Sequence, residues 1–481
     1  MLRYYQAHHH IKRNDPVFRI FLYLSVLLIF SSFSLFAQNS FVNRQKTNDS
    51  LNKRILNDTL TKKRFGRAAI ELGLGEAVTF SIDRFIRHTD FTKISFKTIG
   101  YNLKPGNWGW DADDFSTNQI GHPFHGSVYF NAFRSNGYSF WQSIPASVAG
   151  SYIWETAGET TGPSVNDFIN TGFGGTMLGE VTHRLANRIV NSRSRGFKRQ
   201  AGEVVAFIIN PSNGLNRILD GQWGKVPGNS VAKDTTPIAG KFDLGLRRYS
   251  INNKDPFTDG HFGLYARMKL VYGTPAENIK DAFGNFYVVV EAGHDHSSKL
   301  NIVSAYGSLT GWKAYFENRT DIAVLSANYD YINNEAFFYG AESVKLNYYA
   351  NFILTNKIGI DATVGTGPIV LAAIPDAYKY QGRNYDYGSG LSYYSSLKLI
   401  IADRFYYAFN YRGGWTTTLN GNPSYYFLHV LTNELGMRIL KKVSLSVEDG
   451  YFNLLGYYRH FDDVNKIYPY VRLSVTYNTN L

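Results

Sequence analysis

The sequence predicts a membrane β-barrel of about twelve antiparallel strands, with roughly ten to fourteen compatible with the runs, preceded by a small helical module. Three observations carry this. The second half alternates residue by residue between apolar and water-preferring side chains, and such alternation sends the two sets to opposite faces of a strand. Aromatic residues make up 16% of the chain, dominated by 35 Tyr and 34 Phe, as suits the aromatic girdles of an outer-membrane barrel. Beyond the N-terminus no stretch reaches the ~18 uninterrupted apolar residues that a spanning helix needs.

Residues 1–37 read as a cleavable export signal: Lys12, Arg13 and Arg19 form the basic region, and Ile20 to Phe33 the apolar core. The expected cut follows Ala37, with a single membrane anchor as the competing reading, and it would discard His8, His9 and His10. Loss of Arg3, Lys12, Arg13, Arg19 and Asp15 lowers the formal charge from +12 by +3, to +9. Much of the rest sits in residues 38–65, a polar linker with Arg44, Lys46, Lys53, Arg54, Lys62, Lys63 and Arg64. In an exported chain this balance fits anionic headgroups better than nucleic acid, and a solvated linker is the plainer reading still. The chain has no cysteine, which excludes disulfides, thiolate metal sites and a lipidated N-terminal cysteine.

Residues 66–225 form a Gly- and Trp-bearing module with helical periodicity. Pro123 suits the first turn of a helix that ends at Arg134-Ser135-Asn136-Gly137, with His122 as its cap. A second helix, from about Phe140 to Glu155, carries Ser143, Ser147, Gly150 and Ser151 as a small-residue stripe. Glu155 and Glu159 follow at its C-terminal end, where acids are disfavoured, so a specific partner is expected for one of them. A third helix starts at Pro163-Ser164-Val165-Asn166-Asp167, with Asp167 readable as half of a capping box on Ser164. Glycine weakens a helix by ~1 kcal/mol relative to alanine, so Gly172, Gly174, Gly175 and Gly179 call for close helix–helix approach. The packing set is Gly150, Gly172, Gly175 and Gly179, and Glu180 with Arg184 reads as an ion pair one turn apart.

After a second linker, 226–240, the strand zone occupies 241–481. Phe262, Leu264, Ala266, Met268, Leu270 and Tyr272 oppose Gly263, Tyr265, Arg267, Lys269 and Val271. The same pattern sets Phe286, Val288 and Val290 against Tyr287, Val289 and Glu291, and Val471, Leu473, Val475 and Tyr477 against Arg472, Ser474 and Thr476. Turn signals such as Asn420-Gly421-Asn422-Pro423 separate the runs. A soluble β-sandwich is disfavoured because the outward sets are long, aromatic at their ends and free of charge.

The motifs Trp108-Gly109-Trp110-Asp111, Gly121-His122-Pro123-Phe124-His125-Gly126 and Pro163-Ser164-Val165-Asn166-Asp167, with Gly174-Gly175-Thr176-Met177-Leu178-Gly179-Glu180, resemble an uncharacterised family of Gram-negative outer-membrane proteins known only as a domain of unknown function. The resemblance implies an outer-membrane setting and no established activity. Ser135-Asn136-Gly137 is similar to a motif of outer-membrane phospholipases, but those enzymes place a His where Phe133 stands. That activity is not carried over.

Two functions are compatible with these residues. In the first, a non-catalytic outer-membrane barrel holds the module in its lumen or beneath it, and serves envelope architecture, assembly or restricted transport. In the second, an enzyme acting on envelope lipid or glycan, with a lipid-directed hydrolase or transferase as its best form, uses His125, Glu155, Asp167 and His183, or a zinc-type site with His122, His125 and His183 and a carboxylate as ligands. The non-catalytic reading is preferred. No cofactor is expected; the partners are outer-membrane lipids and other envelope proteins.

Overall fold

Twelve strands close into one antiparallel barrel in which every strand pairs with its sequence neighbours and β1 closes onto β12. The computed structural model describes residues 62–226, 236–251, 254–276, 278–294, 298–316, 319–334 and 338–480. The export signal, most of the first linker and residues 227–235 of the second lie outside them. The strands are β1 Ile238–Tyr249, β2 His261–Tyr272, β3 Phe286–Gly293, β4 Leu300–Phe316, β5 Arg319–Asn333 and β6 Phe338–Thr355. They continue as β7 Ile358–Tyr380, β8 Arg383–Ile401, β9 Phe405–Asn420, β10 Ser424–Leu440, β11 Val443–Tyr458 and β12 Val464–Asn480.

The alternation sorts the faces as the sequence predicts. Arg267, Lys269, Tyr287, Val289 and Arg472 line the lumen. Their strand neighbours face out, and on one side of the barrel these are bare: Leu244 is 68% exposed, Leu435 63% and Val475 51%. Such a row of exposed aliphatic side chains suits hydrocarbon rather than water.

Eight α-helices precede the barrel among the described residues: α1 Phe65–Ser81, α2 Phe96–Asn102, α3 His122–Arg134, α4 Phe140–Ile153, α5 Val165–Ile169, α6 Gly175–Val190, α7 Gly196–Ile209 and α8 Pro211–Leu219. None is long and apolar enough to cross a membrane. Local chemistry starts several of them. Ser139 and Gln142 form a reciprocal capping box at α4, and the Asn210 side chain accepts the Asn213 N–H where Pro211 opens α8.

The module lies neither in the lumen nor beneath it; it packs on the outer wall of the barrel. Outward-facing Phe286, Tyr329 and Tyr387, on β3, β5 and β8, are 0% exposed because helices cover them. Phe115 stacks on Tyr331, Phe140 meets Phe283, and Tyr329 donates to the Gln119 carbonyl. The physical reason is that side chains crossing the lumen leave no room there for a helical module. Asp243, Arg267, Glu448, Arg472 and Glu291 form a continuous ion-pair chain across it. Beyond that chain, inward Tyr249, Ile332, Tyr339, Ile374, Tyr426, Leu428, Phe452 and Tyr468 make an apolar plug. The plug lies toward the end opposite the start of β1 and the end of β12. Planar-bilayer recordings of the purified barrel should therefore show no steady open-channel current, and Tyr426→Ala with Phe452→Ala should produce one.

Candidate active site

Three segments of the module meet where α3, α4 and α5 converge on the outer wall. The stretch before α3 runs beside the start of α5, with the Gly109 N–H on the Pro163 carbonyl and the Val165 N–H on the Gly109 carbonyl. This places Asp111 against Asn166 and Asp167. Three π-helical turns border the junction: Thr117–Gly121 before His122, Trp154–Gly158 holding Glu155, and Asn170–Gly174 after Asp167. A π turn inserts one residue and rotates the following side chains, and such turns recur at functional sites.

His122 is the first residue of α3, not its cap, and Pro123 is the second. Its Nε2 lies 3.3 Å from Asp167 Oδ1, and its Nδ1 lies 3.4 Å from the Thr171 hydroxyl. Asp167 closes no capping box: Ser164 makes no side-chain cap bond, and its hydroxyl instead donates to Asn166 Oδ1 at 3.1 Å. The Asn166 amide donates to both Asp167 Oδ1 (2.8 Å) and Asp111 Oδ1 (2.7 Å). Glu155 has the specific partner that its unfavourable position suggested, because its Oε2 accepts the Ser164 N–H at 2.7 Å.

The barrel wall completes the arrangement. Asn118 donates to Asp111 and to the hydroxyls of Tyr385 and Tyr387, Tyr387 donates to Asp111, and Arg383 donates to the Asp111 carbonyl. On β6, Glu342 is buried with its carboxylate against the backbone of Gly174.

The electrostatics follow from burying many acids in one place. Burial, then Asp111 and Glu155, pushes the Asp167 carboxyl well above its usual range. Burial and Glu159 do the same to Glu155. Burial and the neighbouring His125 lower His122 to about 4, so its imidazole is neutral near pH 7. A neutral imidazole thus faces a carboxyl whose pKa is raised by burial and neighbouring acids, an acid–base pair set by environment. Ligand atoms of His122, Glu155 and Asp167 also lie within 4.8 Å of one another, close enough to share one ion.

The structure brings His122, Glu155 and Asp167 together and puts His125 beside them, its ring 6.5 Å from His122 and 6.1 Å from Trp154. His183 does not join them. It bonds Asn187 at 2.9 Å, on the helix where Glu180 accepts from both Arg134 and Arg184. The His122–His125–His183 metal set is thereby corrected: α6 carries His183 toward the opposite end of the barrel, where Arg184 donates to the Ala282 carbonyl. Among the glycines, Gly150, Gly175 and Gly179 sit at close approaches, whereas a Cβ on Gly172 would meet only Val148, at 3.7 Å. Gly172 is therefore no packing glycine. Asp111, Asn118, Asn166 and Tyr387 were not singled out from the sequence; for Asp111 and Asn166 the available signal was their place in the two shared motifs.

Residues 107–212 match the family model of a domain of unknown function, DUF3943. No curated protein matches the chain. The solved structures similar to it include the KdgM porin, 10% identical with a TM-score of 0.25, over 49% of this chain and 98% of that one. An outer membrane channel from Pseudomonas putida F1 is 10% identical with a TM-score of 0.31, over 53% and 99%. An anion-selective porin from Comamonas acidovorans is 8% identical with a TM-score of 0.24, over 51% and 99%.

Proposed function

We propose that this chain, which carries the domain of unknown function at residues 107–212, is an outer-membrane protein whose reactive site lies outside the lumen and modifies envelope lipid. The convergence of His122, Glu155 and Asp167 on the wall-mounted module is the observation that carries the reading. The module's free surface supports it. Leu74, Val78, Phe85, Phe124, Trp141, Val148, Ile153 and Ile208 are all exposed, so the helices present an apolar face beside the barrel's apolar belt. A lipid reaching the site need not enter water.

In this reading His122 takes a proton from a water that attacks the acyl or phosphoryl centre, the ester bond to the leaving oxygen breaks, and Asp167 or Glu155 returns a proton to that oxygen. A divalent ion held by the same three groups would instead polarise the ester or phosphoryl oxygen. The two forms separate by chelation: only the second loses turnover in EDTA and regains it with added Mg²⁺, Ca²⁺ or Zn²⁺. His122→Ala and Asp167→Asn should each reduce product release from outer-membrane lipid by at least ~100-fold, as loss of a general acid or base does. Heat-modifiable barrel migration should stay unchanged.

An architectural role is the second reading, favoured by the plugged lumen and the helices bracing β2 to β8. It stands alone if the folded wild-type protein releases no product from any envelope lipid and the two variants alter only abundance.

A further inference from the structure

The lumen holds a second site, independent of the helical module. Between the ion-pair chain and the end where β1 begins and β12 ends lies a cavity of about 590 Å³, open at that end. It falls within the roughly 300–1,000 Å³ typical of small-molecule sites. The plug closes its other side, since Ile302, Val430, Phe452 and Tyr470 belong both to the cavity wall and to the apolar cluster. The space is a blind pocket rather than a passage.

Its charge is unbalanced. Arg267 is neutralised by Asp243 and Glu448, Lys241 by Glu434, and Arg412 faces Asp330. Lys269 and Lys398 also line the cavity. Neither has an ion-pair partner among the described residues, and their ammonium groups rest only over ring faces, Tyr287 at 5.0 Å and Tyr406 at 5.1 Å. Further cations, Arg404, Arg438 and Lys441, line the same cavity with one further acid, Asp403. A low-dielectric wall around like charges focuses their field and draws counter-ions inward.

We infer that this blind lumenal pocket binds a small organic anion carrying phosphate or carboxylate groups, held by Lys269 and Lys398. The two lysines supply the charge that an anion neutralises, and lumenal tyrosines such as Tyr287 and Tyr394 supply hydroxyls to its polar body. A neutral ligand leaves both ammonium groups uncompensated, and a cation adds to their repulsion.

Calorimetry on the full-length protein in detergent at low salt tests this, using inorganic phosphate, glucose 6-phosphate, glucuronate and glucose. Glucose 6-phosphate or glucuronate should bind while glucose does not, and the stronger of the two distinguishes a phosphate from a carboxylate ligand. Lys269→Ala with Lys398→Ala should weaken binding at least tenfold, and Lys357→Ala, in the β6–β7 turn, should leave it unchanged. Asp167→Asn should also bind normally, which separates this pocket from the helical site. The inference is overturned if glucose binds as tightly as the anions, if no anion binds the folded wild-type protein, or if the double variant retains wild-type affinity with intact heat-modifiable migration.

Discussion

Gly175→Leu should detach the helical module from the barrel while the barrel itself stays closed. A Cβ at Gly175 would lie 2.4 Å from the Gly126 Cα and 2.5 Å from its carbonyl carbon, and one at Gly126 would lie 1.9 Å from the Thr171 carbonyl oxygen. Both obstacles are backbone, so no side chain can swing aside. Overpacking a core commonly costs about 1–3 kcal/mol and more where the main chain must move. Helices α3 and α6 touch along this line, and α6 also reaches the wall through Arg184 and Tyr272. Separating the pair exposes Phe286 and Tyr329, which the helices now cover. Limited proteolysis should digest the variant's module and spare a heat-modifiable barrel. Gly172→Ala, which meets only ordinary contact, is the control and should resist protease like the wild type.

Glu180→Ala should have an effect of similar size for an electrostatic reason. Glu180 is fully buried and accepts from Arg134 at 2.7 Å and from Arg184 at 2.7 Å. Breaking a buried pair by removing one partner typically costs about 3–5 kcal/mol, because the remaining charge is left without compensation. Here two guanidinium groups are stranded. Burial alone would raise the Glu180 pKa, but Arg134 and Arg184 outweigh it and hold it at about 2. Because the folded value lies below the unfolded one, this stabilisation is complete above about pH 4.5 and is lost as pH falls toward 2. Denaturant midpoints followed by module fluorescence should drop for Glu180→Ala at neutral pH. The gap from wild type should narrow at acidic pH, where the wild-type carboxylate is itself being protonated.

Much of the barrel was legible because strand alternation is a local signal. Arg267 and Lys269 face the lumen, and Phe262 and Leu264 face out, as period-two reading requires. The Glu180–Arg184 pair was equally readable, since a helix places residues four apart on one face. The site was legible only in part. Histidines and acids on separate helices could be named as candidates, but helical spacing says nothing about which of them meet. His183 shares Glu180's helix and points to another network, whereas Asp111, in the irregular stretch before α3, lies in the cluster.

The sequence by itself determined the strands, the side of the wall each residue faces, and a helical module ahead of them, because each is set by neighbours within a turn or a pleat. Tertiary structure alone decided that the module sits outside the barrel. Charged and aromatic side chains from many strands cross the lumen and leave no room for helices, and that crossing is a sum over distant residues. It also decided which acids share a site, since Asp111, Glu155 and Asp167 belong to separate segments whose approach depends on packing against Tyr385 and Tyr387 of the wall.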